Sequence, residues 1–185
     1  MEACVHQVGT ILYVTIAGMD TVALCSPDYQ INFDSINRSE DEPGITRSRL
    51  YLHSLIQKEI QAGVPAQRII LGGFSQGGAM SIFSGLTFQH RLAGVFGLSC
   101  YQLIEKKFDE LRQETGNQNQ KVFMGHGTDD TVVRVQWGRQ TAEGLKKKGI
   151  SDLEWHEYED LPHSVDPKEV DELERWVTER LKENE

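Results

Sequence analysis

Four short apolar runs recur along the chain, and each one predicts a strand. The runs are rich in Ile, Leu, Val or aromatic residues and are bounded by polar or turn-forming residues. Runs this short favour strands that are buried in a sheet over helices, which need a longer pattern. The predicted strands are Arg68–Leu71, Leu92–Leu98, Lys121–Met124 and Leu153–Tyr158.

Segments with helical spacing of their apolar residues lie before and between these runs. The first, Thr46–Ala62, places Leu52, Leu55, Ile56 and Ile60 at helical intervals. Further helices are predicted over residues 78–83, 106–114 and 134–148. Strands that alternate with helices are typical of an α/β domain, in which helices cover a mainly parallel sheet on both faces to make three layers.

The last predicted helix has the clearest start. Asp166 is the expected N-cap, Pro167 occupies the first helical position, and Glu169 is placed to complete a capping box. An apolar face follows at helical spacing and comprises Val170, Leu173, Trp176, Val177 and Leu181.

A G-x-S-x-G pentapeptide joins the first predicted strand to the helix after it. In such a strand–turn–helix context, Gly73 and Gly77 allow a tight, strained turn that exposes the hydroxyl of Ser75. The helix N-terminus then lies beneath this hydroxyl, and the backbone N–H of Gln76 can donate to an oxyanion. Ser75 is therefore the candidate nucleophile, although a bare Gly-rich turn with a capping Ser would show the same five letters.

An acid and a histidine follow in the order that this arrangement requires, Ser then Asp then His. The strand Lys121–Met124 leads into a turn over residues 125–133, where Asp130 is the better acid candidate. Asp129 remains the alternative, because a turn pattern cannot distinguish adjacent carboxylates.

His163 lies between the last predicted strand and the last helix, which makes it the candidate general base. The other histidines fit structural positions better; these are His6, His53, His90, His126 and His156. A Ser hydroxyl is a poor nucleophile at neutral pH, so His163 would take its proton while Asp130 orients the imidazole. The three residues together predict a serine hydrolase that needs no metal or cofactor.

Composition limits the classes of partner. The chain has 185 residues, enough for one domain, and 19 basic against 28 acidic residues give a net charge of −9. This balance argues against binding nucleic acid or anionic membranes, since both need clustered Lys and Arg. Three cysteines without metal-like spacing suit reduced thiols in the cytosol, and we expect Cys100 to be buried.

The apolar stretch from Ile11 to Cys25 is too short to span a membrane and is interrupted by Asp20. Residues Met1–Gln7 lack the positive charge that precedes a signal sequence. We therefore interpret the stretch as one or two strands.

Several longer elements give the chain a specific family resemblance. The elements are Glu40–Ile45, Ile69–Met80, Gly97–Tyr101, the acid turn and Leu161–Ser164. Together they resemble the acyl-protein thioesterases, a family of small cytosolic α/β-hydrolases that includes lysophospholipase-like carboxylesterases. The residues of these motifs are most similar to those of the fungal members. The segment G-G-F-S-Q-G-G-A is much more restrictive than the pentapeptide alone.

The resemblance implies an α/β-hydrolase fold with Ser75, Asp130 and His163 as the triad and the Gln76 N–H as one oxyanion donor. It also implies hydrolysis of fatty-acyl thioesters on S-acylated proteins, with activity on lysophospholipids or simple esters. A cytoplasmic and nuclear monomer or weak homodimer is expected.

The chain departs from the family pattern near its N-terminus. Members carry an upstream H-G-x-G-D loop that supplies a second oxyanion N–H, and none is found before Gly72. We expect an atypical segment over residues 1–27 and a hydrolase domain over residues 28–185, with Tyr29–Asp34 as a remnant of the family's acyl-site segment. The alternative is an impaired, shortened hydrolase (an isoform, an incorrect gene model or a pseudoenzyme) with at most a binding role.

Overall fold

The computed structural model describes residues 2–8, 11–17, 41–115 and 119–182. Within these residues, six strands form one sheet in chain order, β1-β2-β3-β4-β5-β6. The strands are β1 Glu2–Val8, β2 Ile11–Ala17, β3 Ile70–Phe74, β4 Gly94–Leu98, β5 Val122–Gly127 and β6 Leu153–Tyr158. All neighbouring pairs are parallel except β1 and β2, which are antiparallel.

Helices lie between the parallel strands along the chain, and the last helix follows β6. They are α1 Glu42–Gln61, α2 Gln76–Leu86, α3 Glu105–Thr115, α4 Val135–Lys147 and α5 Pro167–Lys182, with a short 3-10 turn at Ala66–Arg68. The predicted strand Leu153–Tyr158 coincides with β6, and the mainly parallel three-layer α/β architecture predicted from the sequence is confirmed.

The sheet separates two apolar cores. Successive side chains of a strand point to opposite faces, so Leu71 and Val95 pack towards α1–α4, whereas Ile70 and Phe96 pack towards α5. In β5, Phe123 likewise packs against Trp176 of α5. Because β3, β4 and β5 are buried on both faces, their sequences are continuous apolar runs rather than alternating ones.

Several predicted element ends differ from the observed ones by two to four residues, and two of them have a clear cause. The helix predicted from Thr46 begins at Glu42, because Asp41 caps it by accepting from the Gly44 N–H at 3.0 Å. The strand predicted to end at Met124 continues to Gly127, because His126 and Gly127 still pair with β6.

The start of α5 is partly as predicted. Asp166 accepts a hydrogen bond from the Glu169 N–H at 2.8 Å, as an N-cap should. The Glu169 carboxylate, however, makes no return bond to the cap and is buried beneath the helix, so the capping box is wrong. Val170 is exposed and lies outside the apolar face, which Leu173, Trp176 and Val177 form.

The N-terminal strands β1 and β2 were only half anticipated. Strand β2 falls inside the apolar stretch that predicted one or two strands, whereas β1 was not predicted. Strand β2 pairs with β3 through Ile11–Ile70, Leu12–Leu71 and Tyr13–Gly72, so the edge of β3 is covered. The rest of that apolar stretch, residues 18–25, and the predicted acyl-site remnant Tyr29–Asp34 lie outside the described residues.

Cys100 is fully buried, as expected, and burial raises the pKa of its thiol to about 12. No helix within the described ranges combines the length and apolar character needed to cross a bilayer.

The two faces of α1 provide a test of the packing. Ile56 is 0% exposed and Leu50 is 55% exposed on the same helix. We expect Ile56→Ala to lower the free energy of unfolding by about 2–5 kcal/mol, because it leaves a cavity in the larger core. Leu50→Ala is the matched control and should change it by less than about 0.5 kcal/mol. Urea unfolding measures both, and equal effects of the two variants would contradict this packing.

Candidate active site

Ser75 occupies a strained turn between β3 and α2. Its backbone has φ 53° and ψ −123°, a region that L-residues rarely adopt. The turn is tight because α2 packs directly on the sheet: a Cβ atom on Gly78 would lie 2.7 Å from the Gly73 carbonyl oxygen and 3.0 Å from the Cys100 Cβ. The Ser75 N–H donates to the Leu98 carbonyl at 2.8 Å and so ties the turn to β4.

Gln76 is the first residue of α2, directly after Ser75. The Ser75 carbonyl accepts from the Ala79 N–H at 3.0 Å, which is the first hydrogen bond of the helix. The N–H groups of the first turn, Gln76 included, therefore have no acceptor within the helix and carry its partial positive charge. An oxyanion that forms beside Ser75 would face these donors.

Asp130, and not Asp129, is the acid that the fold brings to the histidine. Its side chain is buried, and Oδ1 accepts hydrogen bonds from the backbone N–H groups of Val132 at 2.9 Å and Val133 at 2.8 Å. Its other oxygen, Oδ2, lies 2.6 Å from Nδ1 of His163. Asp129 is exposed.

His163 lies between the acid and the serine. Its Nδ1 faces Asp130, and its Nε2 is 3.0 Å from the Ser75 Oγ. The side chain is 17% exposed, and the Phe74 ring packs against it with a centroid distance of 4.7 Å. With Nδ1 donating to the carboxylate, the Nε2 lone pair faces the hydroxyl and can accept its proton.

Hydrogen bonds join the acid loop (residues 128–133) to the end of β6 and to the histidine loop (residues 159–166). The Thr128 N–H donates to the Tyr158 carbonyl at 2.9 Å, and the Asp129 N–H donates to the Leu161 carbonyl at 3.1 Å. The Asp160 N–H returns a bond to the Thr128 Oγ1 at 3.0 Å. These hydrogen bonds therefore fix the position of Asp130 relative to His163.

Sequence reasoning missed several supporting groups. These are the Phe74 ring against His163, the Leu98 carbonyl on the Ser75 N–H, and the two N–H groups on Asp130. Phe74 belongs to the motif and could have been noticed, whereas a backbone group leaves no trace in the residue types.

Other histidines have structural surroundings. His53 bonds the Ser84 carbonyl through Nε2 at 2.8 Å and joins α1 to α2, and burial lowers the pKa of His53 to about 4. His156 stacks on Phe123 at a centroid distance of 4.7 Å.

A buried carboxylate lies beneath the acid strand. Glu169 is 0% exposed, and a Cβ atom on Gly125 would come within 2.4 Å of its Oε1. Neither of its oxygens has a hydrogen-bond partner among the described residues. Burial, reinforced by the nearby charges of Asp166 and Glu172, raises the pKa of Glu169 to about 7.

The fold and the order of the site residues define a class. Helices cover both faces of a mainly parallel sheet, and Ser, Asp and His come in that order after the carboxyl ends of β3, β5 and β6, an arrangement of the α/β-hydrolases. A family model described as Phospholipase/Carboxylesterase matches residues 26–180. The chain belongs to this family.

Fungal proteins named acyl-protein thioesterase 1 are similar in sequence. The protein of Emericella nidulans is 43% identical over 148 residues, which cover 80% of this chain and 62% of the relative. The protein of Neurospora crassa is 46% identical over 149 residues, covering 80% of this chain and 60% of the relative. The aligned part of the chain thus spans about three-fifths of the length of these relatives.

Solved structures are similar in fold. Arabidopsis thaliana SOBER1 matches with a TM-score of 0.73 and 28% identity, covering 80% of this chain and 69% of that chain. Zea mays acyl-protein thioesterase 2 matches with a TM-score of 0.68 and 25% identity over 80% of this chain and 69% of that chain.

Glu169 should give stability a recognisable pH dependence. Its folded pKa, about 7, exceeds the ordinary 4.5, so the folded chain keeps a proton that the unfolded chain releases. The Glu169 contribution is therefore fully present below pH 4.5 and is lost as the pH rises from 4.5 through the folded pKa of about 7, by about 3 kcal/mol. Glu169→Gln should remove this decrease in stability with rising pH. Glu174 is exposed on the same helix, so Glu174→Gln should keep the decrease. Urea unfolding between pH 4.5 and 8 measures the effect, and an unchanged slope in Glu169→Gln would contradict it.

Proposed function

We propose that this chain is a serine hydrolase that cleaves fatty-acyl thioesters from S-acylated proteins and also acts on lysophospholipids or simple carboxylic esters. The observation that carries the proposal is the continuous contact from Asp130 Oδ2 to His163 at 2.6 Å and from His163 Nε2 to Ser75 Oγ at 3.0 Å. The names of the fungal relatives support the thioester as the preferred bond.

The first half-reaction acylates the serine. His163 Nε2 removes the proton of the Ser75 hydroxyl as Oγ attacks the acyl carbonyl carbon, and a tetrahedral oxyanion forms. Collapse of this intermediate breaks the carbon–sulfur bond. The departing thiolate takes the proton from His163, and the acyl group remains on Ser75 as an ester.

The second half-reaction restores the enzyme. His163 Nε2 removes a proton from water as the water oxygen attacks the acyl carbon, and collapse of the second tetrahedral intermediate returns the proton to Ser75. The fatty acid leaves. Throughout, Asp130 stabilises the imidazolium through Oδ2, while two backbone N–H groups hold its Oδ1 in place.

The Gln76 N–H is the proposed oxyanion donor. It lies at the N-terminus of α2, where the helix dipole favours negative charge. Loss of one such donor costs about 10²–10³-fold in turnover where two are used. The carboxyl end of β2 lies at the same edge of the sheet as Ser75, because β2 runs parallel to β3.

The proposed partners follow from the substrate and the charge. S-acylated proteins or ester lipids are the substrates, with no metal, cofactor or nucleic acid, and with no stable insertion into a membrane. We place the protein in the cytoplasm and nucleus as a monomer or weak homodimer, with residues 28–185 as its hydrolase domain and residues 1–27 as an atypical segment.

One sequence observation favours a second function. The upstream H-G-x-G-D loop of the acyl-protein thioesterases has no counterpart before Gly72. A chain with a single oxyanion donor would be an impaired hydrolase with at most a binding role. Modification of Ser75 by a reactive probe, followed by turnover of an ester, distinguishes the two functions.

Ser75 should react with a fluorophosphonate probe. We expect labelling of the folded protein, complete loss of labelling in Ser75→Ala, and retention in Ser164→Ala, which removes an exposed hydroxyl next to His163. In-gel fluorescence and mass spectrometry of the labelled peptide measure this. Labelling of the folded protein at another residue, or no labelling at all, would contradict the proposed hydrolase function. Labelling without turnover of a palmitoylated peptide or an ester would favour the impaired form.

The adjacent aspartates provide a matched pair. Asp130→Asn should lower kcat by up to about 10⁴-fold, because an amide in place of Oδ2 would favour the wrong tautomer of His163. Asp129→Asn should stay near the wild-type rate, since that side chain is exposed. Initial rates with a p-nitrophenyl ester measure both variants. A large loss in Asp129→Asn with none in Asp130→Asn would reverse the assignment of the acid.

A further inference from the structure

His126 makes a buried hydrogen bond across the acid loop. It is the penultimate residue of β5 and is 0% exposed. Its Nε2 lies 2.7 Å from the Val133 carbonyl oxygen, across the loop that carries Asp130. The N–H of the same residue, Val133, donates to Asp130 Oδ1 at 2.8 Å. His126 therefore holds Val133, the last residue of the acid loop, through its carbonyl, and the N–H of Val133 in turn holds the carboxylate.

The His126 ring also faces the other carboxylate oxygen. Its Nε2 is 3.5 Å from Asp130 Oδ2, the oxygen that lies 2.6 Å from His163 Nδ1. Both side chains of the His126–Asp130 pair are fully buried. The oxygen that contacts His163 therefore also lies beside the His126 ring.

The hydrogen bond to Val133 determines the tautomer of His126. A carbonyl only accepts, so the proton is on Nε2. Its Nδ1 has no hydrogen-bond partner in the described part of the chain, and the ring is backed by α4: a Cβ atom on Gly138 would lie 2.3 Å from Nδ1. Such a ring cannot rotate without displacing the helix.

Titratable groups from three elements interact electrostatically with the His126 ring. These are Asp130 in the acid loop, His163 in the histidine loop, and Glu157 on β6, whose carboxylate pairs with Arg139 of α4 at 2.8 Å. Burial lowers the pKa of His126 and keeps the imidazole neutral. It can donate a hydrogen bond near Asp130 without adding a positive charge that would compete with His163.

We propose that His126 is a positioning residue that orients Asp130 and, through it, the imidazole of His163. Its kinetic consequence rests on the proposed hydrolase function, whereas its geometric consequence does not. Without the His126 donor, the acid loop loses its internal bond, and the 2.6 Å contact between Asp130 and His163 loosens.

Three variants and one readout independent of catalysis test this proposal. His126→Phe keeps a planar ring and removes the donor, His126→Gln offers an amide N–H at a similar reach, and His53→Phe removes an equivalent histidine–carbonyl bond far from the site. The readout is the low-field proton resonance of the His163 Nδ1–H by NMR, assigned by its loss in His163→Gln. We expect it to shift upfield or broaden in His126→Phe and to persist in His126→Gln and His53→Phe.

Rate measurements extend the test. In His126→Phe, fluorophosphonate labelling of Ser75 should slow by about 10–100-fold, and kcat for an ester should fall with KM little changed, because orientation and not binding is lost. In His126→Phe the acidic limb of the pH–rate profile should shift along the pH axis. In His126→Gln it should return to its wild-type position.

Gly138→Ala provides a second variant if His126→Phe does not fold, since the added methyl would displace the His126 ring from the helix side. It should weaken the same resonance. An unchanged resonance in folded His126→Phe or Gly138→Ala, or an equal change in His53→Phe, would overturn the proposal. Absence of Ser75 labelling in the wild type would overturn the hydrolase function, while the resonance would still decide the role of His126.

Discussion

Ser75 is held at φ 53° by the close packing of α2 on the sheet, and the rest of the site is arranged around that turn. The close approach needs glycine at position 78, where a Cβ atom would lie 2.7 Å from the Gly73 carbonyl oxygen. The N–H of Ser75 continues the hydrogen bonding of β3 to β4 by donating to the Leu98 carbonyl. The backbone of the strained residue is therefore fixed to the sheet. Strain of this kind persists only where the surrounding structure overdetermines it. The same turn places the N-terminus of α2 beside the hydroxyl.

The other two members of the proposed triad depend on hydrogen bonds between loops. Asp130 is oriented by the N–H groups of Val132 and Val133, and the acid loop is joined to the histidine loop by the Asp129–Leu161 bond. His163 is thereby placed 3.0 Å from Ser75 although 88 residues separate them in sequence. Parallel strands bring this about, because their carboxyl ends lie at one edge of the sheet, where ligands bind in such folds.

Glu169 shows where local patterns give a wrong answer. Its position three residues after Asp166 predicts a capping box, and the backbone half of that motif forms. The carboxylate instead points beneath the helix towards Gly125, where the absent side chain leaves room for it. Capping preferences are worth about 1 kcal/mol and are overridden when packing against a sheet decides the rotamer. Val170 also departs from the expected apolar face, since it is exposed while Leu173, Trp176 and Val177 are buried.

By itself, the sequence determined the alternation of strands and helices, the strand–turn–helix at Ser75 and the order of acid and base, because these depend on local periodicity and turn chemistry. It favoured Asp130 as the acid but kept Asp129 as an alternative, since a turn pattern cannot distinguish adjacent carboxylates. Only the tertiary structure separated them, by burying Asp130 against two N–H groups and exposing its neighbour. The pairing of β2 with β3 and the place of His126 behind the acid were likewise decided by contacts between distant segments. Such contacts depend on how elements pack in space, which residue spacing does not encode.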